Sequence, residues 1–310
     1  MKILISEFMD EAAVASLTAG FDTTYDATLV DRRDELLAKL KDADALIVRN
    51  RTQVNAEILA AAPKLKVVGR LGVGLDNIDL PACKARNVAV IPATGANALA
   101  VAEYVIATAM MLLRGAYVST PAVAAGQWPR GPLSNGRELG GKTLGIVGFG
   151  GIGQLTARLA KGLGMRVVAS DPLVAASSPV WTEAGVTCRT LDQLLAESDV
   201  VSLHIPLAPE TRNLMNAARL AMMKPDAVLI NSARGSIIDE AALAAALKAK
   251  QLGGAALDVF DAEPLKAGSP LADCPNLILT PHIAGVTTES NTRVSSMIAE
   301  RVAAYLSSAR

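Results

Sequence analysis

A glycine-rich segment near the middle of the chain, residues 142–172, constrains the fold more than any other part of the sequence. A short apolar run is followed by Gly148, Gly150 and Gly153, which form the pattern GxGxxG, and a helical period begins directly afterwards. A second apolar run then ends on Asp171. This order predicts a β-strand, a tight turn, an α-helix and a second strand that carries an acid at its tip.

Each residue type in this motif suits the binding of a dinucleotide. The first glycine permits a tight turn, the second lets backbone amides approach a pyrophosphate, and the third lets the helix pack closely on the strand. The anion then lies at the positive end of the helix. Asp171 can bind the ribose 2′-hydroxyl and repel a 2′-phosphate, and Pro172 rather than an arginine follows it. The motif therefore predicts NAD rather than NADP, with a methyltransferase loop as the alternative.

Composition excludes several classes of protein. The 30 basic and 30 acidic residues balance, so neither nucleic acid nor an anionic membrane is an expected partner. Cys83, Cys188 and Cys274 are far apart and show no CxxC spacing, which predicts neither a disulfide framework nor a metal site. The N-terminus does not read as a signal peptide, and no charge-free apolar segment reaches about 18 residues. These features predict a cytoplasmic protein.

Apolar strands alternate with helical stretches both before and after the glycine motif. Complete βα units within residues 1–96 predict an α/β domain, and residues 97–284, with about six strands, would form a second one. Residues 285–310, mostly one amphipathic helix, would return to the first domain. We therefore expect two Rossmann-like domains, with a doubly wound NAD-binding domain inserted into a smaller, flavodoxin-like substrate domain and the active site in the cleft between them. Residues 97–114 are apolar on nearly every face of a predicted helix, which favours burial between domains or subunits.

Over essentially its full length the chain resembles the D-isomer-specific 2-hydroxyacid dehydrogenases. This family includes phosphoglycerate dehydrogenase, glyoxylate and hydroxypyruvate reductases, D-lactate dehydrogenase and formate dehydrogenase. Seven motifs in order carry the resemblance: VVGRLGVGLDNID (67–79), NALAVAEYVIA (97–107), GKTLGIVGFGGIG (141–153), VSLHIPLAPETRNL (201–214), LINSARGSIIDEAAL (229–243), GAALDVFDAEP (254–264) and LTPHIAGVT (279–287). The resemblance implies a short form without a regulatory domain after residue 310, and a homodimer formed through helix 97–114.

Three polar side chains near the ends of late predicted strands can support the chemistry that such enzymes perform: Arg234, Glu263 and His282. Histidine exchanges a proton near neutral pH more readily than other side chains, which suits His282 as an acid–base group. By resemblance, Glu263 hydrogen-bonds His282 and stabilises its protonated form, while Arg234 binds the substrate carboxylate and donates toward the keto oxygen. The expected reaction moves a hydride between NAD and C2 of the acid while His282 exchanges a proton with the oxygen.

The resemblance implies further contacts with both ligands. Backbone amides of a second glycine-containing loop would bind the substrate carboxylate, at Leu71, Gly72, Val73 and Gly74. Residues that follow the later strands, together with the glycine motif, would bind the cofactor: Gly148, Gly150, Gly151, Ile152, Gly153, Asp171, Pro172, His204, Ile205, Pro206, Thr211, Ser232, Ala233, Arg234, Asp258, His282 and Gly285. Asp258 would lie near the nicotinamide carboxamide, and His204 is assigned no catalytic role. Many relatives carry arginine or histidine at position 151, so glycine there predicts phosphate contacts that are mainly to the backbone.

Two arginines bear on the identity of the substrate. Arg49 and Arg51 follow a predicted strand in VRNRTQV, which resembles a segment of some phosphoglycerate dehydrogenases, and two guanidiniums can bind a second anion. A solvated surface pair is the alternative, and Arg130 is a further candidate, contributed across a dimer interface. We therefore expect a doubly anionic substrate of the 3-phosphoglycerate or 3-sulfolactate type. Glyoxylate, hydroxypyruvate or D-lactate enzymes remain alternatives, as does an NAD-sensing corepressor, which is a binding protein rather than an enzyme.

Overall fold

The computed structural model describes residues 1–308. The strands are β1 (Lys2–Ile5), β2 (Asp22–Tyr25), β3 (Ala45–Val48), β4 (Val67–Arg70), β5 (Ala89–Pro92), β6 (Thr143–Val147), β7 (Arg166–Ser170), β8 (Thr187–Cys188), β9 (Val200–Leu203), β10 (Val228–Asn231), β11 (Gly254–Leu257) and β12 (Leu277–Leu279). The α-helices are α1 (Glu11–Thr18), α2 (Arg33–Leu40), α3 (Ala56–Ala61), α4 (Leu80–Ala85), α5 (Ala98–Arg114), α6 (Thr120–Ala124), α7 (Gly151–Gly162), α8 (Pro179–Ala184), α9 (Leu191–Glu197), α10 (Ala217–Leu220), α11 (Glu240–Lys248) and α12 (Thr288–Ser308). Short 3₁₀ helices occupy Leu29–Asp31, Ala116–Ser119 and Gly235–Ile237.

The chain divides into two compact units. The first contains Met1–Asn97 and the segment that starts at Val286, and the second contains Ala98–Gly285. Each unit is built on one sheet whose strands are all parallel. The predicted fold class, α/β with two Rossmann-like sheets, is therefore confirmed.

The first unit has the strand order β2-β1-β3-β4-β5, which is the flavodoxin-like order. Helix α12 packs on this sheet against β4. A Cβ atom on Gly69 of β4 would lie 2.8 Å from side-chain carbons of Ile298 and of Val302, so glycine lets the helix approach closely. Because the strand order reverses between β1 and β3, the carboxyl ends of these two strands border a crevice in which such sheets bind ligands.

The second unit has the strand order β12-β11-β10-β9-β6-β7-β8. The six strands from β8 to β11 have the doubly wound order of dinucleotide-binding domains, and β12 extends the sheet by one strand. The strand order reverses between β6 and β9. Strands β6, β9, β10 and β11 are buried along their whole length, as their continuous apolar sequences require in a sheet covered on both faces. The switch point therefore falls at the ends of two fully buried strands.

Helix α5 lies in the second unit against α7 and β10. It buries one face, which includes Val105, Ala109 and Leu112, and leaves Met110 and Met111 exposed. No single helix among residues 1–308 is long and apolar enough to cross a membrane. Length and apolar composition would suffice only for a pair of helices taken together, Ala98–Arg114 and Tyr117–Ala124, which are bent by 63° relative to each other.

Candidate active site

The turn from β6 into α7 needs two of its glycines for its own geometry. Gly148 has a φ of 95°, and a Cβ atom there would lie 2.5 Å from the carbonyl oxygen of His204, at the end of β9. A Cβ atom on Gly153 would collide with the carbonyl oxygen of Gly148. These two positions therefore hold the helix close to the strand and bring the ends of β6 and β9 together.

The other two glycines of the turn leave space. A Cβ atom on Gly150 or Gly151 would meet nothing within 4 Å, although both stand at the start of a 12-residue helix. The N-cap of α7 is Gly150, which offers no side-chain acceptor to the first amides of the helix, whereas α9 begins with a full capping box at Thr190. An open surface with unsatisfied amides at a positive helix end fits a pyrophosphate. The residues present thus suit the dinucleotide predicted from the sequence.

Asp171 stands at the tip of β7, beside this turn. Its Oδ2 accepts the Phe149 N–H at 2.8 Å, and its Oδ1 accepts the Leu173 N–H at 2.9 Å. The carboxylate is therefore fixed by the backbone on two sides. Because a carboxylate oxygen can accept more than one hydrogen bond, both oxygens retain capacity for the hydroxyls of a ribose.

His204 follows β9 and has an environment that keeps it uncharged. Its backbone N–H donates to the Val147 carbonyl at 2.7 Å, and its Nε2 is 2.9 Å from the Ser202 hydroxyl. Burial lowers the pKa of His204 to about 4. The lowered pKa favours the neutral imidazole near pH 7, and the non-catalytic assignment of His204 stays a prediction.

The loop after β9 also contains Ile205, Pro206 and Thr211. The Thr211 hydroxyl donates to the Pro206 carbonyl at 2.7 Å and accepts the Ala208 N–H at 2.7 Å. Thr211 therefore shapes the loop from within. Its predicted contact with the cofactor stays a prediction.

Strand β10 ends in a turn that Asn231 organises. The Asn231 side chain accepts the Ala233 N–H at 3.0 Å and donates to the Arg234 carbonyl at 2.8 Å. Arg234 in turn donates from Nη1 to the Ala233 carbonyl at 2.6 Å. The Ser232 hydroxyl oxygen is buried and has no partner among residues 1–308, so it can accept or donate one more hydrogen bond to a ligand.

The turn at Arg234 packs directly on the loop that carries Glu263. A Cβ atom on Gly235 would collide with the backbone of Phe260, so only glycine allows this approach. The Phe260 N–H donates to Glu263 Oε1 at 3.1 Å. Two of the three predicted catalytic residues therefore lie on loops that touch each other through their backbones.

His282 and Glu263, predicted to act together, form a hydrogen-bonded pair. His282 Nδ1 is 2.7 Å from Glu263 Oε2, and the imidazole side chain is 53% exposed. Because a carboxylate only accepts, the proton of the neutral ring lies on Nδ1, and Nε2 is left for an external partner. His282 has a φ of 57°, a left-handed conformation that few residues other than glycine adopt. The turn around His282 must therefore be held by its surroundings.

Asp258 holds that turn. Its buried carboxylate accepts the Thr280 hydroxyl at 2.6 Å, the Ile283 N–H at 2.8 Å and the Ala284 N–H at 2.7 Å. The Thr280 hydroxyl is also 2.7 Å from the hydroxyl of Tyr104 on α5, and burial raises the pKa of Tyr104 to about 12. This network was not predicted from the sequence, in which Asp258 was assigned only to the carboxamide of the cofactor. It anchors both residues that follow His282.

In the first unit, the loop after β4 offers fewer amides than predicted. The Leu71 N–H donates to the Val48 carbonyl and the Gly72 N–H to the Arg70 carbonyl, both at 2.8 Å. The expectation that the Leu71 and Gly72 amides bind a carboxylate is therefore not met in this conformation. Among residues 1–308, the amides of Val73 and Gly74 have no acceptor, so these two are the available donors.

The two arginines after β3 have different surroundings. Arg49 donates from Nη2 to Asn291 Oδ1 at 2.8 Å, and its guanidinium carbon is 5.6 Å from the centre of the Phe8 ring. Burial lowers the pKa of Arg49, and within residues 1–308 its guanidinium forms no ion pair. Arg51 instead pairs with Asp31 at the surface, which raises the pKa of Arg51. Arg49 is thus partly desolvated, and although the charge of Glu7 acts on it, no carboxylate is hydrogen-bonded to its guanidinium within residues 1–308.

Among the described residues, 1–308, no group of three or more His, Cys, Asp or Glu side chains could hold a metal ion.

Comparisons with known proteins agree with this geometry. A family model described as the NAD-binding domain of D-isomer-specific 2-hydroxyacid dehydrogenases matches residues 106–284. A relative named (S)-sulfolactate dehydrogenase, from Chromohalobacter salexigens, is 55% identical over 97% of this chain and 96% of its own length. A relative named D-3-phosphoglycerate dehydrogenase, from Mycobacterium bovis, is 42% identical over 97% of this chain, which spans only 56% of that protein. The crystal structure of the TT0316 protein from Thermus thermophilus matches with a TM-score of 0.90 and 35% identity, over 99% of this chain and 97% of that one.

Proposed function

This chain belongs to the D-isomer-specific 2-hydroxyacid dehydrogenase family, and we propose that its substrate is a doubly anionic 2-hydroxy acid, (S)-3-sulfolactate before 3-phosphoglycerate. The resemblance seen in the sequence is confirmed. The chain is an NAD-dependent oxidoreductase that interconverts 2-hydroxy and 2-keto acids. The observation that carries the proposal on substrate is the environment of Arg49, a half-buried cation whose guanidinium forms no ion pair within residues 1–308.

The residues of the second unit can perform the proton transfer. When bound, NADH supplies the hydride, held by the amides at the start of α7 and by Asp171 at its ribose. We assign the proton to His282 Nε2, because Glu263 occupies Nδ1. Protonated His282 gives this proton to the oxygen at C2 during reduction, and neutral His282 removes it during oxidation. Glu263 keeps the ring oriented and stabilises the imidazolium by its negative charge.

Arg234 supplies a planar pair of donors for the carboxylate at C1 of the substrate. The first unit offers carboxylate donors of its own, the amides of Val73 and Gly74, which have no acceptor among residues 1–308. The guanidinium and the amides would each bind the C1 carboxylate, a group that every 2-keto acid has. They therefore explain the reaction class and leave the choice of substrate to other residues.

Arg49 can make that choice. A guanidinium that is partly removed from water and has no carboxylate hydrogen-bonded to it gains from the binding of an anion, so a sulfonate or phosphate at C3 is a favourable partner. Pyruvate and glyoxylate bring no such group. The 55% identity to a protein named (S)-sulfolactate dehydrogenase favours the sulfonate. Glyoxylate-type, hydroxypyruvate-type and lactate-type substrates leave the environment of Arg49 unexplained.

Replacing Arg49 by methionine tests this proposal. We expect kcat/KM for 3-sulfopyruvate to fall about 10- to 100-fold, the value of one lost charged hydrogen bond, while that for pyruvate changes little. Initial rates of NADH oxidation with both acids give the ratio. Arg51→Met is the matched control: an exposed ion pair is worth about 0–1 kcal/mol, so this variant should keep the wild-type ratio.

Two results would contradict the proposal. A wild-type enzyme that reduces pyruvate as efficiently as 3-sulfopyruvate and 3-phosphohydroxypyruvate has no second anion site. Equal ratios in Arg49→Met and Arg51→Met would show that Arg49 does not contact the substrate. The same panel separates sulfonate from phosphate preference.

The apolar residues around α5 support a homodimer. Met110, Met111, Val118 and Val123 are each more than a third exposed, and Trp128 is 79% exposed. Exposed apolar patches of this kind mark protein interfaces in soluble proteins. Helix 97–114 would form the contact, and the exposed Arg130 follows in the loop after α6. We expect sedimentation to give twice the 32.1 kDa mass of one chain.

A double variant, Met110→Glu with Met111→Glu, should sediment as a monomer. Leu173→Glu, at a residue that is 92% exposed and remote in sequence, should leave the dimer intact. A wild-type monomer would refute the proposal.

We also propose a cytoplasmic location. The cytoplasm is a reducing compartment, which suits the three cysteines, since they form no disulfide among residues 1–308. Cell fractionation would test this location.

A further inference from the structure

A buried carboxylate organises the loop that carries Arg49. Glu7 is only 3% exposed, and its side chain accepts hydrogen bonds from four consecutive backbone amides. Glu7 Oε1 accepts the N–H groups of Arg49 and Thr52, both at 2.9 Å. Glu7 Oε2 accepts those of Arg51 at 3.0 Å and Asn50 at 3.3 Å. No helix or strand satisfies these four amides, so the path of the loop depends on this one side chain.

The position of Glu7 follows from the topology of the first sheet. Glu7 comes two residues after β1, and the loop of residues 49–52 begins at the end of β3. These strands are neighbours at the point where the strand order reverses, which is where sheets of this type bind ligands. The carboxylate therefore bridges the two sides of the switch point in this unit.

Neighbouring side chains complete the attachment of the loop. The hydroxyls of Ser6 and Thr52 are 3.0 Å apart, and Asn77 donates to the Thr52 carbonyl at 2.8 Å. At the other end, the Arg49 side chain is held by Asn291 and the ring of Phe8. Asn77 also donates to the Arg49 carbonyl at 3.4 Å, so both the loop backbone and the Arg49 side chain are held.

We infer that Glu7 is a positioning residue for Arg49, and that it sets the selectivity of the enzyme for doubly over singly anionic 2-keto acids. The inference rests on the proposed function, in which Arg49 binds the second anion. Glu7 makes no ion pair with the guanidinium; it holds the Arg49 backbone while its negative charge compensates part of the positive charge beside it. Arg49 thereby stays fixed in place and available to a ligand.

The number of acceptors explains why a carboxylate is needed. Glutamine has the same size, but its amide has one acceptor oxygen and one donor NH₂ group. In Glu7→Gln, two of the four loop amides would face a donor, and the local negative charge would be lost. Glu7→Asp keeps the charge and both acceptors on a side chain that is one methylene shorter, so it should restore part of the function.

The test compares five proteins: wild type, Glu7→Gln, Glu7→Asp, Arg49→Met and the double variant Glu7→Gln with Arg49→Met. For each, kcat and KM are measured with 3-sulfopyruvate and with pyruvate at saturating NADH, together with the thermal unfolding midpoint. We expect Glu7→Gln to reduce selectivity for 3-sulfopyruvate about tenfold, through KM, with kcat on pyruvate nearly unchanged. Glu7→Asp should lie between Glu7→Gln and wild type. In the Arg49→Met background, Glu7→Gln should not change selectivity further, because residues that act as one unit are not additive.

Several outcomes would overturn the inference while the proposed function stands. In the first, Arg49→Met differs from wild type in selectivity, but Glu7→Gln has the same selectivity as wild type. Another is an equal loss on both substrates in Glu7→Gln, which indicates a general effect on folding. A third is a full effect of Glu7→Gln in the Arg49→Met background. If Glu7→Gln does not fold, Glu7→Asp decides by the same measurements, since a wild-type selectivity in that variant refutes the role. A wild-type enzyme without selectivity overturns both proposals.

Discussion

Replacement of His282 by glutamine is expected to lower kcat by about 10²- to 10⁴-fold, the usual contribution of general acid–base catalysis. Glutamine retains a polar side chain of comparable length, but it cannot carry a proton to the substrate oxygen. Turnover should be measured in both directions, and the affinity for NADH separately by fluorescence titration. Because the imidazole is half exposed and is hydrogen-bonded to Glu263, we expect the folded state and the NADH affinity to change little.

Glu263→Gln provides the companion measurement. The amide oxygen can still accept a hydrogen bond from His282 Nδ1, but the NH₂ group then faces the Phe260 N–H, and the side chain no longer stabilises an imidazolium by its charge. The loss in kcat should therefore be smaller than in His282→Gln. A His282→Gln enzyme that turns over within tenfold of wild type would remove His282 from the proton-transfer step. A Glu263→Gln enzyme that is worse than His282→Gln would show that the carboxylate has a role of its own.

The fold class and the cofactor follow from local patterns in the sequence, whereas the reaction class rests on the family resemblance carried by seven ordered motifs. Glycine spacing, an acid at a strand tip and continuous apolar strands each reflect a local rule, and the structure obeys those rules at β6, α7 and β7. Strands β2 and β8 were not predicted, and the second sheet has seven strands instead of about six. Both are edge strands: β2 has the partly exposed sequence DTTY and β8 has only two residues, so neither carries the apolar run by which buried strands are recognised.

Contacts between residues that are distant in the chain could not be predicted from the sequence. Asn291 holds Arg49 across 242 residues, and Glu7 holds the same loop across more than 40. Asn and Glu are common residues, and nothing in their local sequence signals a partner. Arg49 and Arg51 are an example. The sequence suggested the same role for both, but in the structure Arg49 is half-buried against Asn291 and Arg51 pairs with Asp31 at the surface. The loop after β4 is similar: glycines indicated free amides, but only the hydrogen-bond pattern shows that Leu71 and Gly72 are already engaged.

Replacement of Arg234 by methionine is expected to lower kcat/KM by about 30- to 5000-fold for every 2-keto acid, since loss of one partner from a hydrogen-bonded charge pair costs about 2–5 kcal/mol. Every such substrate has the C1 carboxylate that Arg234 is proposed to bind. The ratio between 3-sulfopyruvate and pyruvate should therefore stay at its wild-type value. This is the opposite of the result expected for Arg49→Met, which should change the ratio and spare pyruvate.

Arg234→Lys gives the internal control for this prediction. Lysine keeps the charge but lacks the planar fork, so it should recover only part of the lost efficiency. The turn itself should persist in both variants, because Asn231 binds the backbone carbonyl of Arg234 and not its side chain. An unchanged thermal midpoint together with a uniform loss of efficiency would locate the defect at the C1 carboxylate. A change in the ratio between the two substrates would instead mean that Arg234 contacts the group at C3, and the separate roles of Arg234 and Arg49 would have to be abandoned.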